Sequence, residues 1–183
     1  MARINPVTKA QATGKSGELL GAVEKKLGRV PNLLGTLAHS PAALGSYLAQ
    51  SEAVGQSSLS AKAREQIALA IAGVNQCGYC ASAHTAIGKS IGLSADDAGR
   101  ALRGEADDPL TQGAIDLAKV IVEKRGLISD DDLRAARAAG LGDREVIEVV
   151  ALVALNIFTN YANHVSGTEI DFPVVELPEP AGV

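Results

Sequence analysis

The chain has 183 residues, 46% of them apolar but only 3% aromatic, with no Trp. That length suits one domain, or two small ones sharing a core, and a core of Ala, Leu, Ile and Val favours closely packed helices. The net charge is −4 and no run of Lys or Arg forms a stripe, which argues against a nucleic-acid face or an anchor on anionic membranes.

Residues 1–15 read as a loose, polar lead-in. No apolar h-region precedes Gly17, so no secretory signal is expected. Ser16 is predicted to cap a helix over 17–27, ended by Gly28. Pro31 suits the first turn of a short helix to about Ala38. Ser40-Pro41 starts another, to about Gly55, and Gly55 to Ser60 is a turn. Ser60 opens a helix through Asn75, with Ile67, Ala70, Ile71 and Val74 at helical spacing towards the core. A helix from about Cys77 to Ile91 follows, stopped by Gly92. Ser94 with Asp97 is a capping pair for a helix to about Leu102. Asp108-Pro109 begins the next, which ends before Gly126. Ser129 with Asp132 repeats the capping pattern for a helix that stops at Gly140. Asp143 is predicted to cap the last long helix, Arg144 to about Asn163. From Asp171 the chain is too proline-rich for helix and reads as an extended arm, lying on the body or on a neighbouring subunit. The expectation is an all-α fold, with a helical domain over 16–170 and a tail over 171–183.

No stretch has the unbroken apolar length of a membrane span; Val146 to Phe158 is the most apolar, but Glu148 interrupts it. A weak internal repeat suggests two copies of a helical hairpin. Arg64-Glu65 with His84 recurs as Arg144-Glu145 with His164, which aligns Cys80 with Asn160.

The chemistry concentrates in NQCGYCASAHTAIGK, Asn75 to Lys89. It holds both cysteines and one of the three histidines. On a helix, Cys77, Cys80 and His84 fall on or near one face. Two thiols one turn apart can close a disulfide. A histidine four residues beyond Cys80 can hydrogen-bond its sulfur, and a helix N-terminus favours a thiolate. A chain reversal near Gln76 brings Glu65 level with His84. The carboxylate then orients and charges the imidazole, which takes the thiol proton directly or through a water. Tyr79, inside the CxxC, is either a packing residue or a hydroxyl donor to substrate. His39 reads as structural or surface. Buried, inert cysteines and a zinc site of Cys77, Cys80, His84 and His164 are the competing readings. A CxxC without an export signal fits a reducing cytoplasm and a catalytic pair better than a structural staple.

The pattern E-x11-C-x2-C-x3-H, here Glu65, Cys77, Cys80 and His84, resembles the motif of the AhpD-like alkylhydroperoxidases of the carboxymuconolactone decarboxylase superfamily. Val30 to Pro41 and Asn156 to Pro173 are similar to the peroxidase-related branch. The resemblance implies an all-helical homotrimer or homohexamer with no cofactor. It implies that Cys80 attacks a peroxide, Cys77 resolves the sulfenic acid to a disulfide, and Glu65 and His84 relay protons. An external reductant, a lipoyl-protein or a thioredoxin-like protein, would reset the pair. Tyr79 stands where the best-known peroxidase of that family has a second histidine. A dithiol–disulfide exchange or redox-sensing protein is therefore the alternative. Decarboxylase members lack the cysteine pair.

Overall fold

The computed structural model describes residues 1–179. Its described residues form nine α-helices and no strand. They are α1 (Gly14–Leu27), α2 (Asn32–Leu37), α3 (Pro41–Val54), α4 (Ala61–Val74), α5 (Gly78–Ser90), α6 (Ala95–Leu102), α7 (Pro109–Glu123), α8 (Asp130–Ala138) and α9 (Asp143–Ser166). The helix starts follow local chemistry. Ser40, Ser60, Ser94, Asp108 and Ser129 each accept a backbone N–H three residues on, at 2.9–3.2 Å. Each side chain satisfies one of the donors that a helix N-terminus leaves free.

Two expected caps differ. Ser16 lies inside α1, and its buried hydroxyl donates to the Ala38 carbonyl at 2.7 Å, tying α1 to the end of α2. A tertiary partner replaced the local one. Gly142, not Asp143, is the N-cap of α9, and Glu145 reaches back to accept the Gly142 N–H at 2.8 Å. The lead-in is also pinned rather than loose. The N–H groups of Arg3 and Ile4 donate to the Ser166 carbonyl, and that of Val7 to Gly35.

α4 is the central wedge, packing against α5, α6, α7 and α9. Every residue from Ile67 to Gly73 is buried. Leu69 and Ala72 join an apolar cluster that includes the cysteines, α1, α2 and α6. Ile67, Ala70 and Ile71 join a second one with α7, α8 and α9. Each large aliphatic side chain so buried stabilises the fold by roughly 1.5–3 kcal/mol. Gly73 makes the crossing with α6 possible, because a Cβ there would lie 2.1 Å from the Leu102 carbonyl oxygen.

α9 is one continuous helix of 24 residues. Glu145 and His164 therefore lie about 28 Å apart along a single axis, and the expected second hairpin does not exist. By length and composition alone α9 could cross a bilayer; here it packs against α2, α3, α4, α5 and α7. Its outer face exposes Ile147, Val150, Ala154, Phe158, Tyr161 and Val165, at intervals of three and four.

Residues 171–179 carry no regular secondary structure and lie on the chain's own body. Arg29 pairs with Asp171 at 2.8 Å, Val175 N–H donates to Ser82 Oγ at 3.1 Å, and Gln76 Nε2 donates to the Pro178 carbonyl at 3.2 Å. The last part of the expected tail, 180–183, lies outside the described residues.

Candidate active site

The site is made by the turn between α4 and α5. Helix α4 stops at Val74, and Gln76 adopts a left-handed conformation, φ 53. Its amide caps the helix end by donating to the Gly73 carbonyl at 2.8 Å. Such a conformation costs a non-glycine residue about 1–2 kcal/mol, offset here by that cap. The reversal sets α4 and α5 side by side, as the spacing of Glu65 and His84 requires. His84 Nδ1 and Glu65 Oε2 are 2.8 Å apart.

Cys77 is the N-cap of α5, and its sulfur accepts the Cys80 backbone N–H at 3.4 Å. The two sulfurs are unbonded, 2.7 Å apart and buried. The close approach of the sulfurs sets the two thiols apart. The hydrogen bond shared with Cys80 outweighs burial and, with the Cys80 N–H, the Asn163 amide and His84, holds Cys77 below the usual thiol range. That same hydrogen bond, then burial and repulsion from Cys77, drive Cys80 far above it. Of the two thiols, Cys77 is thus the more readily ionised. The expected hydrogen bond from His84 to Cys80 is not made, because the imidazole is turned to Glu65. Burial disfavours a charged His84, but the facing carboxylate overcomes it and raises the histidine's pKa above the ordinary 6.5.

Cys80, but not Cys77, opens onto a cleft of about 520 Å³. Its walls are mainly apolar, with Leu27, Leu33, Leu34, Tyr47, Ile87 and Phe172, and His84 lines the same cleft. A smaller cavity of about 220 Å³ is lined by Ser51, Arg64, Glu65 and Asn156. His84 lines both, so the imidazole stands between an apolar entrance and a more polar chamber.

Tyr79 cannot offer its hydroxyl to a substrate here. The oxygen accepts the Leu33 N–H at 3.1 Å, and its hydrogen goes to Asp171 Oδ1 at 2.8 Å. The ring meets Phe172 edge-on at 5.7 Å, and Arg29 lies 4.3 Å over Phe172. Tyr79 is therefore a wall of the cleft and the anchor of the tail. His164 is exposed on α9, away from the thiols, and among the described residues no three His, Cys, Asp or Glu side chains converge as metal ligands. That removes the four-ligand zinc set. His39 Nε2 meets the Asn5 carbonyl at 2.9 Å, a tie to the lead-in.

Sequence reasoning missed Asn163. Its Nδ2 donates to Cys80 Sγ at 3.3 Å and lies 4.0 Å from Cys77 Sγ. A signal existed: Asn156, Asn160 and Asn163 recur at intervals of four and three on an apolar helix, a polar stripe that faces inward.

Residues 40–123 match the carboxymuconolactone decarboxylase family. The fold is also that of an uncharacterised peroxidase-related protein with an AhpD core from Ralstonia eutropha JMP134. That protein is 25% identical over 93% of this chain and 92% of its own, with a TM-score of 0.83. The chain is thus similar to AhpD-like proteins of the carboxymuconolactone decarboxylase superfamily. A peroxidase-related protein from Silicibacter sp. TM1040 shares the AhpD-like fold at 23% identity, over 86% of this chain and 85% of its own, TM-score 0.77. So does the debrominase Bmp8, at 16% identity over 92% and 91%, also with a TM-score of 0.77. Among curated proteins none matches the chain. This AhpD-like family is enzymatic, and its solved members include peroxidase-related proteins.

Proposed function

We propose that the protein is a thiol peroxidase that reduces hydrogen peroxide or organic hydroperoxides through a dithiol–disulfide cycle. The observation that carries this reading is the stacking of the two sulfurs. Cys80 faces an apolar cleft, and Cys77 waits 2.7 Å behind it, shielded from solvent.

The Cys80 sulfur attacks the terminal peroxide oxygen. An S–O bond forms as the O–O bond breaks, and two electrons pass from sulfur to peroxide. The proton on Cys80 passes to the Cys77 thiolate. The departing oxygen takes a proton from the His84 imidazolium, directly or through a water, and leaves as alcohol or water. His84, now neutral, removes the proton from Cys77. Cys77 attacks the Cys80 sulfur, the S–O bond breaks, and hydroxide leaves with the returned proton as a second molecule of water. A disulfide and a neutral imidazole remain. The halt at disulfide is the reversible branch of cysteine oxidation. Glu65 keeps the imidazole charged for the first step.

An external dithiol, of the lipoyl-protein or thioredoxin-like kind, would reset the pair in a reducing cytoplasm. The assembly we infer is a homotrimer or homohexamer, supported by the apolar outer face of α9. Dithiol–disulfide exchange with little peroxide turnover is the second reading. It is favoured by the occupied Tyr79 hydroxyl, which is not free to hand a proton to the departing peroxide oxygen.

The test is the intact mass of reduced protein after one equivalent of a hydroperoxide. Wild type is expected to lose two hydrogens and Cys77→Ser to gain one oxygen, while Cys80→Ser stays unchanged. Unchanged masses with both thiols still titratable would sink the peroxidase reading in favour of exchange. An oxygen gained by Cys80→Ser but not by Cys77→Ser would reverse the two roles.

A further inference from the structure

Two carboxamides on α9 are left half-used beside the reactive sulfur. Asn160 is fully buried and Asn163 is 5% exposed. A buried amide group without a partner costs roughly 1–3 kcal/mol, so each orphaned atom calls for a physical reason. Asn160 Oδ1 accepts from Asn75 Nδ2 at 2.9 Å. With Asn75 as the donor, Asn160 Nδ2 is left without a partner. Asn163 is the reverse case. Its Nδ2 is spent on Cys80 Sγ at 3.3 Å, while its Oδ1 has no partner. Asn163 bonds the Cys80 sulfur, while Asn160 makes no hydrogen bond to it and favours its ionised form more weakly. Against the larger upward push of Cys77 and burial, Asn163 and Asn160 each pull the thiol back towards ionisation.

The reduced site therefore holds one spare N–H donor and one spare carbonyl acceptor near a single sulfur. A thiol cannot satisfy both. A sulfenic acid can, since its oxygen accepts one hydrogen bond and its O–H donates another. We propose, on the thiol-peroxidase reading above, that Asn160 and Asn163 form a cradle for the oxygen that Cys80 takes from the peroxide. Asn163 Nδ2 holds the sulfur as it becomes anionic. The free N–H of Asn160 receives the incoming oxygen, and Asn163 Oδ1 accepts the hydrogen of the sulfenic acid. The same donor stabilises the oxygen again when Cys77 displaces it as hydroxide. Both residues are then catalytic, because each touches a reacting atom.

The experiment uses the full chain carrying Cys77→Ser, with Asn160→Leu or Asn163→Leu added. Two reagents are compared: cumene hydroperoxide, which delivers an oxygen, and iodoacetamide, which does not. Each Asn variant should be oxidised at least ~10-fold more slowly than its parent, the scale of losing one positioned donor. Alkylation should slow with Asn163→Leu and be affected much less by Asn160→Leu. A folded variant oxidised at the parental rate would overturn the cradle. A Cys77→Ser parent inert to hydroperoxide would instead overturn the peroxidase reading and the oxygen cradle with it. The alkylation comparison would then still report whether Asn163 activates the thiol. Side-chain amide resonances of the Cys77→Ser chain provide a readout that needs no Asn substitution. Those of Asn160 and Asn163 should both move when one equivalent of hydroperoxide is added, and unmoved signals during sulfenic acid formation would overturn the proposal.

Discussion

Glu65 sets the charge of His84 through one hydrogen bond of 2.8 Å between two mostly buried side chains. The raised histidine pKa has a definite sign. The pair stabilises the fold fully below about pH 6.5, and that contribution disappears as pH rises through the higher folded value. Glu65→Gln keeps the shape and removes the charge. The alkaline fall in the rate of peroxide oxidation should move to lower pH, with the rate at neutral pH down roughly 10-fold or more. A pH–rate profile identical to wild type would remove Glu65 from the relay. These four motif residues were legible because two helix repeats and one turn determine their meeting. Asn163 was not, because 83 residues separate it from Cys80 and only packing decides which face of α9 meets α5. The charge order of the thiols was also hidden. It rests first on the hydrogen bond between the sulfurs and then on Cys77 being the N-cap itself, one residue outside the helix, a boundary finer than spacing resolves.

At the scale of elements, the caps and stops were readable because they are local. Serine or aspartate accepts a backbone N–H three residues on whatever surrounds it. Ser16 shows the limit, since the same side chain serves a carbonyl of another helix when one comes within reach. The hairpin repeat failed for a related reason. Nothing between Glu145 and His164 breaks a helix, whereas Gln76 and the Cys77 cap break the first copy. The α4–α6 crossing carries its own prediction. Gly73→Ala places a methyl group against the backbone oxygen of Leu102, which cannot swing aside as a side chain would. It should destabilise the protein by roughly 2–3 kcal/mol, read from the midpoint of denaturant unfolding. An unchanged midpoint would mean that α6 shifts freely, and with it one border of the cysteine cluster.

For the whole molecule, the outer face of α9 is the feature that a single copy leaves unexplained. Its apolar side chains run from Ile147 to Val165 without a charged residue on the stripe. Patches of that extent mark contact surfaces, and a second copy of the chain is the partner that the inferred oligomer supplies. Replacing Ile147 and Tyr161 with Lys should shift the protein to a smaller species in light scattering after size exclusion, with its helical signal retained. A variant of unchanged mass would move the interface elsewhere.

The shielding of Cys77 has a use apart from redox chemistry. The side chain is 1% exposed and does not line the cleft, so a bulky thiol reagent reaches it only when the structure around it opens. The slow labelling of Cys77, followed in a Cys80→Ser background, is a clock for local opening of the first turn of α5. The active site thus carries its own probe of how often this corner of the native protein breathes.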